Sequence, residues 1–204
     1  MELTILDLGG VLYNINFERT RTALAQLSGY NGKPIFFGTN DQDVVFVRYD
    51  RGDISTQEFR AELRRIFGFT CTDHEIDAAW CAILRDGLFD FAEESVLRVR
   101  NYFNTHEHNR LVLFSNISEL HYSYCKDICA AVFGMVDKTY FSFIERVRKP
   151  DTEAFLHVCR LEGALPEHST LIDDSSANCA AALSLGMRVV HVTNPQMLLD
   201  LGGQ

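Results

Sequence analysis

The chain has 204 residues, of which 47% are hydrophobic and 23% charged, and its formal net charge is −9. This length fits one domain, or one domain with an insertion, and the negative charge argues against a nucleic acid or an anionic membrane as partner. No signal peptide or run of about 18 apolar residues is evident, and six scattered cysteines without a Cys-x-x-Cys pair fit a reducing compartment. We expect a cytoplasmic monomer or homodimer that acts on a small molecule.

The first predicted elements are a buried strand and a helical insertion. Residues 3–7 form an apolar run that ends at Asp7 and is followed by Gly9 and Gly10. Beyond Phe17, apolar residues recur at helical spacing as far as residue 100, and this pattern predicts about four helices. Within the insertion, Ser55-Thr-Gln-Glu is a capping-box sequence, and we expect Trp80 to pack in the core of the helices.

After residue 100 the pattern alternates between helices and short apolar strands. The segments RLVLFSN, KTYFSF, STLIDDS and RVVHV predict strands, and the segment SELHYSYCKDICAAVFG predicts one continuous helix. Apolar strands separated by helices indicate a doubly wound parallel α/β sheet covered on both faces. We therefore predict a core domain of residues 1–14 and 101–204, a helical cap of residues 15–100, and a surface addition from Asn194 onward.

Polar residues follow several of these strands, where a parallel α/β sheet binds its ligands. They are Asp7, Ser115, Asn116 and the adjacent pair Asp173 and Asp174, together with Lys149, which stands before a proline at the start of a helix. Each is weak evidence alone, since an isolated acid or Ser-Asn pair often caps a turn or helix. Adjacent acids at a strand end repel each other unless a cation lies between them, and the combination therefore predicts a functional site.

The chemistry of this set fits phosphoryl transfer. Carboxylate oxygens suit Mg²⁺, and Asp7 could both bind the metal and attack phosphorus to form an aspartyl-phosphate. The remaining acids, Asp173 and Asp174, would hold the metal directly or through water. We expect the phosphoryl oxygens to be bound by Ser115, the Asn116 amide, the backbone amides of Gly9 and Gly10, and Lys149, which would neutralise their charge.

These motifs, in this order, resemble the haloacid dehalogenase superfamily, in the subfamily with a helical cap inserted after the first strand. The matching segments are LDLGGVL, VLFSN, RKP and LIDDSSAN. Their sequences are most similar to those of a bacterial branch that includes small sugar-phosphate phosphatases such as α-glucose-1-phosphate phosphatase. The resemblance implies Asp7 as nucleophile, Ser115 and Lys149 as phosphate-binding residues, and Asp173 and Asp174 as metal ligands. It implies a Mg²⁺-dependent phosphatase acting on a small phosphorylated metabolite.

One position departs from the pattern of such phosphatases, which carry a second aspartate two residues after the nucleophile. Gly9 stands there. It retains the backbone carbonyl that contacts the metal in the family, but it has no carboxyl group to protonate the leaving oxygen, a contribution of ~10²–10⁴-fold in rate. A leaving group that needs little protonation would tolerate this loss, which favours sugar 1-phosphates over alkyl phosphates. Tyr13, Asn14 and Glu18 lie nearby, and none is a clear substitute.

Two other functions are compatible with the same motifs. A halide-displacing enzyme would also use Asp7 but needs no metal, so the acidic pair argues against it. A phosphate-binding regulatory protein without turnover would account for Gly9. Substrate contacts are expected from the cap stretch between Asp41 and Asp53, where Asp43 and Arg48 are candidates, and from the basic segment that precedes Lys149.

Overall fold

A computed structural model describes residues 1–39, 41–103 and 108–202 of the chain. Its five strands are Leu3–Leu6 (β1), Arg110–Ser115 (β2), Lys138–Phe141 (β3), Ser169–Asp173 (β4) and Arg188–His191 (β5). All pairings are parallel, in the order β3-β2-β1-β4-β5. The chain builds outward from β1 to one edge and then returns to build the other. The predicted doubly wound parallel sheet is confirmed.

Ten α-helices and three 3₁₀ segments accompany the sheet in the described residues. The α-helices are Phe17–Ala25 (α1), Val44–Asp50 (α2), Thr56–Phe67 (α3), Asp73–Trp80 (α4), Ala92–Phe103 (α5), Glu119–Cys125 (α6), Ala130–Gly134 (α7), Ser142–Glu145 (α8), Thr152–Glu162 (α9) and Ser176–Ser184 (α10), and the 3₁₀ segments are Cys81–Leu84, Pro166–His168 and Pro195–Asp200. None of the described helices has the length and apolar character needed to cross a membrane.

The sheet is buried on both faces because alternate strand residues point to opposite sides. Ile5 of β1 packs in one apolar cluster, and its neighbour Leu6 packs in the other. The same alternation separates Phe114 from Leu113 in β2. Burial on both sides explains why these strands read as continuous apolar runs in the sequence.

Helices α1 to α4 and the 3₁₀ turn Cys81–Leu84 form the insertion that follows β1. Ser55 caps α3 with a full capping box to Glu58, as the sequence predicts, and Gly68 ends this helix in the left-handed conformation. Trp80 is fully buried among the cap aromatics and stacks on Phe46 with ring centroids 5.1 Å apart. Trp80 also stacks on His121 of α6, and the cap aromatics belong to the same apolar cluster as Leu113 of β2, so the cap helices and the sheet share one core.

Two predictions about the core domain are wrong. The helix expected over SELHYSYCKDICAAVFG is divided into α6 and α7 by a turn at residues 126–129, although no glycine or proline marks the break. The tail is more than a surface addition, because Leu198 in the 3₁₀ segment Pro195–Asp200 is fully buried and this segment packs against α5.

Candidate active site

The carboxyl ends of β1, β2 and β4 bring the predicted site residues together. Asp7 follows β1, and its amide donates to the Ile172 carbonyl of β4 at 2.9 Å. Ser115 ends β2, and Asp173 ends β4. Asp7 and Ser115 are almost completely buried, and Asp173 is completely so. The sheet topology therefore concentrates these polar groups at one edge, where a cavity opens toward the cap.

Lys149 is the cation at the centre of this group. Its Nζ lies 2.9 Å from Asp7 Oδ1 and donates to Asp173 Oδ2 at 2.7 Å and to the Phe114 carbonyl at 2.8 Å. The side chain is only 1% exposed, so the ammonium has exchanged its hydration for three oxygen partners. Burial alone lowers the pKa of Lys149, but the adjacent Asp173 and Asp7 outweigh it and raise the pKa. The lysine is charged at neutral pH.

The carboxylates are held against their own mutual repulsion. Burial raises the pKa of Asp7 to about 7, and the charges of Asp173 and Asp174 act in the same direction, against Lys149. Burial and the neighbouring Asp173 raise the pKa of Asp174 to about 6. One lysine therefore does not neutralise three acids, and the site has the electrostatic character of one that takes up a further cation.

The donor set fits a hard divalent cation. Asp7, Asp173 and Asp174 each offer a carboxylate oxygen, and these three oxygens lie within 4.8 Å of one another. Mg²⁺ prefers oxygen ligands and is usually held by few carboxylates together with water. The excess negative charge and the spacing of the oxygens agree with such an ion.

Asp173 and Asp174 occupy different environments within this set. Asp173 Oδ1 accepts from the Ser175 amide and from the Asn178 side-chain amide, both at 2.9 Å, while its Oδ2 accepts from Lys149. Asp174 is partly exposed and lines the cavity. Asp173 is thus fixed by hydrogen bonds, which include one from Asn178 that sequence reasoning had not assigned, and Asp174 retains the greater freedom to bind a ligand.

Gly10 makes room for Asp174. Its φ is +75°, and a Cβ built there would lie 2.1 Å from Asp174 Oδ2. The amide of Gly10 donates to the Tyr13 carbonyl at 2.9 Å. The amide hydrogen of Gly10 is thus used within the chain, and its role as a phosphate donor stays a prediction. The need for glycine comes from the approach of the acid.

The side-chain and backbone amides of Asn116 are placed differently. Its carboxamide donates to the Lys149 carbonyl at 2.8 Å and accepts from the Lys149 amide at 3.0 Å. The side chain therefore positions the lysine and is not available to phosphate. Among the described residues, the backbone amides of Leu8, Gly9 and Asn116 have no protein acceptor within hydrogen-bond distance, and all three residues line the cavity.

The residues considered as replacements for the absent aspartate are engaged elsewhere. The Tyr13 hydroxyl is buried and donates to the Leu84 carbonyl at 2.8 Å, and burial raises the pKa of Tyr13 well above its ordinary value. Glu18 is paired with Arg21 on the surface. Gly9 itself lines the cavity without a side chain, and Asn14 offers an amide, which is no proton donor of use to an alkoxide.

The cavity in front of Asp7 has a volume of about 460 Å³ and is lined by both cap and core. Of the sequence candidates in the cap, Asp43 and Arg48 are absent from the described lining, whereas Asp50 of α2 is part of it. Asp43 instead accepts from the Phe36 amide at 3.0 Å near the start of α2. From the core, Arg148 lines the cavity beside Lys149, as the basic segment suggested.

Comparison with known proteins establishes the family. A family model of haloacid dehalogenase-like hydrolases matches residues 1–186. This chain belongs to the haloacid dehalogenase-like hydrolases. Nearly the whole chain is therefore accounted for by one family of enzymes, which agrees with the four motifs and with the sheet that positions them.

Individual relatives share the fold over most of their length. The D-ribitol-5-phosphate phosphatase of Bacteroides thetaiotaomicron is 24% identical over 199 residues, which cover 93% of this chain and 91% of the relative. A haloacid dehalogenase-family enzyme from the same organism, crystallised with magnesium and inorganic phosphate, is 27% identical with a TM-score of 0.75, over 94% of this chain and 93% of that one.

A second comparison shows how far the fold extends beyond close sequence similarity. The L-2-haloacid dehalogenase of Xanthobacter autotrophicus has a TM-score of 0.54 at 13% identity, covering 94% of this chain and 77% of that one. At this identity the likeness concerns the fold alone.

Proposed function

We propose that this protein is a Mg²⁺-dependent phosphatase that hydrolyses a small phosphorylated sugar or polyol through an aspartyl-phosphate on Asp7. The observation that carries the proposal is the contact of Lys149 Nζ with Asp7 at 2.9 Å and Asp173 at 2.7 Å, beside a third carboxylate. A nucleophile, a fixed positive charge and a set of metal ligands are the parts that phosphoryl transfer requires.

The proposed steps use residues of this chain at the Asp7 carboxylate. Asp7 Oδ attacks phosphorus, the bond to the leaving oxygen breaks, and the phosphoryl group is transferred to the carboxylate. Lys149, the Ser115 hydroxyl and the amides of Leu8, Gly9 and Asn116 are proposed to bind the phosphoryl oxygens. The leaving oxygen takes a proton from solvent, and water then attacks the acyl-phosphate, which releases inorganic phosphate and regenerates Asp7. Bound Mg²⁺ would neutralise phosphoryl charge as a Lewis acid.

The metal ligands we propose are Asp7, Asp174 and the Gly9 carbonyl, with Asp173 acting through its hydrogen bonds to the surrounding residues. Two observations support Mg²⁺ in particular. The three acids are all oxygen donors, and one structural relative, the enzyme from Bacteroides thetaiotaomicron, has been crystallised with magnesium in three structures that are 27 to 29% identical to this chain. Asp173 already accepts hydrogen bonds from Lys149 and Asn178, which leaves Asp174 as the better direct ligand.

The substrate class rests on two different arguments. The absence of an acid at Gly9 favours a leaving group that departs with little protonation, such as an anomeric hydroxyl. The curated relative is instead a phosphatase of D-ribitol 5-phosphate, whose leaving group is a primary alcohol. A sugar 1-phosphate and a polyol phosphate such as ribitol 5-phosphate are both hydroxylated and small enough for a cavity of about 460 Å³.

A panel of phosphate esters and one acyl phosphate, assayed with and without Mg²⁺, tests this function. The panel contains glucose 1-phosphate, ribitol 5-phosphate, acetyl phosphate, glycerol phosphate and phenyl phosphate. We expect Mg²⁺-dependent phosphate release, with glucose 1-phosphate and acetyl phosphate faster than glycerol phosphate. Equal or reversed rates would remove the leaving-group argument, and no release from any ester would remove the phosphatase.

The non-catalytic alternative is favoured by one observation, the glycine at position 9. It predicts that the protein binds Mg²⁺ and phosphate without Asp7-dependent hydrolysis on this panel. A dehalogenase predicts halide release from a 2-haloacid in the presence of EDTA. The same preparation of protein can be used for all three assays, so the outcomes separate the three functions.

A further inference from the structure

A carboxylate and a guanidinium of the cavity lining form an ion pair without a direct hydrogen bond. Asp50 is at the C-terminal end of cap helix α2, and Arg148 is in the core loop that carries Lys149. Arg148 Nε lies 3.9 Å from Asp50 Oδ2, a separation too long for a hydrogen bond. Side-chain exposure is only 15% for Arg148 and 8% for Asp50.

Both groups have unused hydrogen-bonding capacity. Arg148 Nε is buried and has no partner among the described residues, although the other guanidinium nitrogens donate to Gln42 Oε1 at 2.9 Å and the Lys149 carbonyl at 3.2 Å. Over the same part of the chain, the Asp50 carboxylate accepts no hydrogen bond within 3.5 Å. Buried polar groups in native proteins are normally paired, so two such groups lining one cavity indicate a ligand that completes them.

The backbone holds this pair in position from both sides. The Ser142 hydroxyl of the core donates to the Asp50 carbonyl. Two residues later, a Cβ at Gly52 would lie 2.2 Å from the Phe143 carbonyl, so the end of α2 is in close contact with the core. On the other side, Asn116 fixes the backbone of Lys149, the neighbour of Arg148. The backbone on both sides of the pair is therefore fixed, and a small turn of the Arg148 side chain, whose Nε is buried, would admit a hydroxyl.

We infer that Asp50 and Arg148 bind a hydroxyl group of the substrate's leaving group and thereby select hydroxylated phosphate esters. One hydroxyl can donate its hydrogen to Asp50 Oδ2 while its oxygen accepts from Arg148 Nε. Because these two atoms are only 3.9 Å apart, the hydroxyl oxygen would lie beside the line that joins them, within hydrogen-bond distance of both. This inference rests on the proposed phosphatase activity and adds to it the residues that recognise the leaving group.

The charge pattern supports a neutral hydroxylated group over a second anion. An anionic group bound by Arg148 would also be repelled by the Asp50 carboxylate. Burial already disfavours the ionised form of Asp50 and raises its pKa to about 6. An apolar leaving group would leave both partners unpaired at a desolvation cost. A sugar or polyol carries hydroxyls at several positions and satisfies both groups at once.

The test compares hydroxylated esters with phenyl phosphate, whose leaving group has no second hydroxyl. Asp50→Asn preserves shape and removes the charge. Arg148→Lys preserves the charge but removes the whole guanidinium, with its hydrogen bonds to Gln42 and the Lys149 carbonyl, so Asp50→Asn is the more specific variant. Hydrogen bonds to charged groups of this kind correspond to losses of roughly 10- to 100-fold. We expect kcat/KM for ribitol 5-phosphate and glucose 1-phosphate to fall by this factor in each variant, while phenyl phosphate changes by about twofold or less.

The phenyl phosphate assay also reports on folding and on Lys149, because any disturbance of the phosphoryl site would reduce hydrolysis of all esters alike. Asp53→Asn is the matched control, since Asp53 is in the same cap segment, pairs with Arg51 and is absent from the described lining of this cavity. Equal losses for every ester, or no loss for the hydroxylated ones, would overturn the inference.

Thermal shift measurements decide the question even if turnover is absent. We expect ribitol 5-phosphate to raise the Tm of the wild-type protein more than phenyl phosphate does, and Asp50→Asn to abolish the difference. If the wild type hydrolyses no ester but shows this difference, the phosphatase proposal fails and the recognition site stands. If the two esters raise Tm equally in the wild type, the recognition site fails independently of catalysis.

Discussion

Gly10 and Asp174 occupy adjoining space, since a Cβ on Gly10 would lie 2.1 Å from Asp174 Oδ2. The second glycine of the first motif therefore sets where the last acid of the fourth motif can stand. The two residues are far apart in sequence, and only the parallel pairing of β1 with β4 brings them together. This relationship connects a backbone requirement directly to the proposed metal site.

Gly10→Ala is expected to weaken Mg²⁺ binding by about 10- to 100-fold, the usual cost of displacing a group that supports a metal ligand. The added methyl group forces the Asp174 carboxylate away from its position. Calorimetric titration with Mg²⁺ measures the resulting affinity. Gly186→Ala is the matched control, because Gly186 has a similar φ of +80° but no atom within 4 Å of its Cβ position. If both variants bind Mg²⁺ with wild-type affinity, Asp174 is not a ligand.

Gly9→Asp is expected to increase kcat for alkyl phosphates by about 10²-fold or more, because it installs the missing proton donor. The position can accept a side chain, since a Cβ there meets only the Ile15 side chain, at 3.3 Å. Gly9→Asn has nearly the same shape and no acidic proton, and should give no gain. If the aspartate variant is no faster than the asparagine variant, the wild-type protein does not lack a general acid at this step.

Asn116→Ala is expected to lower kcat by about 10²-fold, because a small displacement of a catalytic group such as Lys149 has an effect of this size. The change removes two hydrogen bonds that hold the Lys149 backbone. It should also reduce the free energy of unfolding by about 1–3 kcal/mol, because it leaves buried groups unpaired. Asn101→Ala, at an exposed position of α5, is the control. Steady-state kinetics and urea unfolding give the two quantities, and an unchanged kcat would show that Lys149 needs no such support.

The metal-free protein is expected to lose stability as the pH rises from about 5 to 7.5. Burial raises the pKa of Asp7 to about 7 and those of Asp50 and Asp174 to about 6, so in this range the folded state binds more protons than the unfolded state. The buried His121, whose pKa burial lowers to about 4, opposes this trend only below its unfolded pKa of about 6.5. The combined effect of the three acids on the free energy of unfolding is therefore expected to exceed that of His121.

Mg²⁺ should reverse the loss at the upper end of this range, because it binds the ionised acids and stabilises the state that holds them. Thermal unfolding with Mg²⁺ and with EDTA at pH 5 and pH 7.5 measures the effect. We expect a larger rise in Tm at pH 7.5 than at pH 5, and almost none in Asp174→Asn. An equal rise at both pH values would argue against ionisation of the acids as the basis of binding.

The sequence was informative where one chemical type recurs at strand ends. Asp173 and Asp174 could be predicted as a pair because adjacent acids after a buried strand are costly without a cation, and the motif order supplied their partners. It was less informative where a side chain's role depends on its neighbours in space. The Asn116 carboxamide bonds to Lys149, and no local pattern distinguishes this from binding phosphate.

The cap illustrates the same limit. Asp43, Arg48 and Asp50 all lie in the stretch expected to face the substrate, but helical periodicity does not say which face of α2 points to the cavity. Only the packing of α2 on the cap aromatics and on the core puts Asp50 there. The buried tail was missed for a related reason, since a short 3₁₀ segment with one buried leucine has no periodic signal.

The central claim is that Asp7 is the nucleophile of a Mg²⁺-dependent phosphatase, and Asp7→Asn tests it most directly. The substitution preserves size and removes the nucleophilic charge. Phosphate release from the best ester of the panel, measured with saturating Mg²⁺, is expected to fall by at least about 10⁴-fold while thermal unfolding remains cooperative. Hydrolysis by a folded Asp7→Asn protein at a rate near that of the wild type would contradict the account.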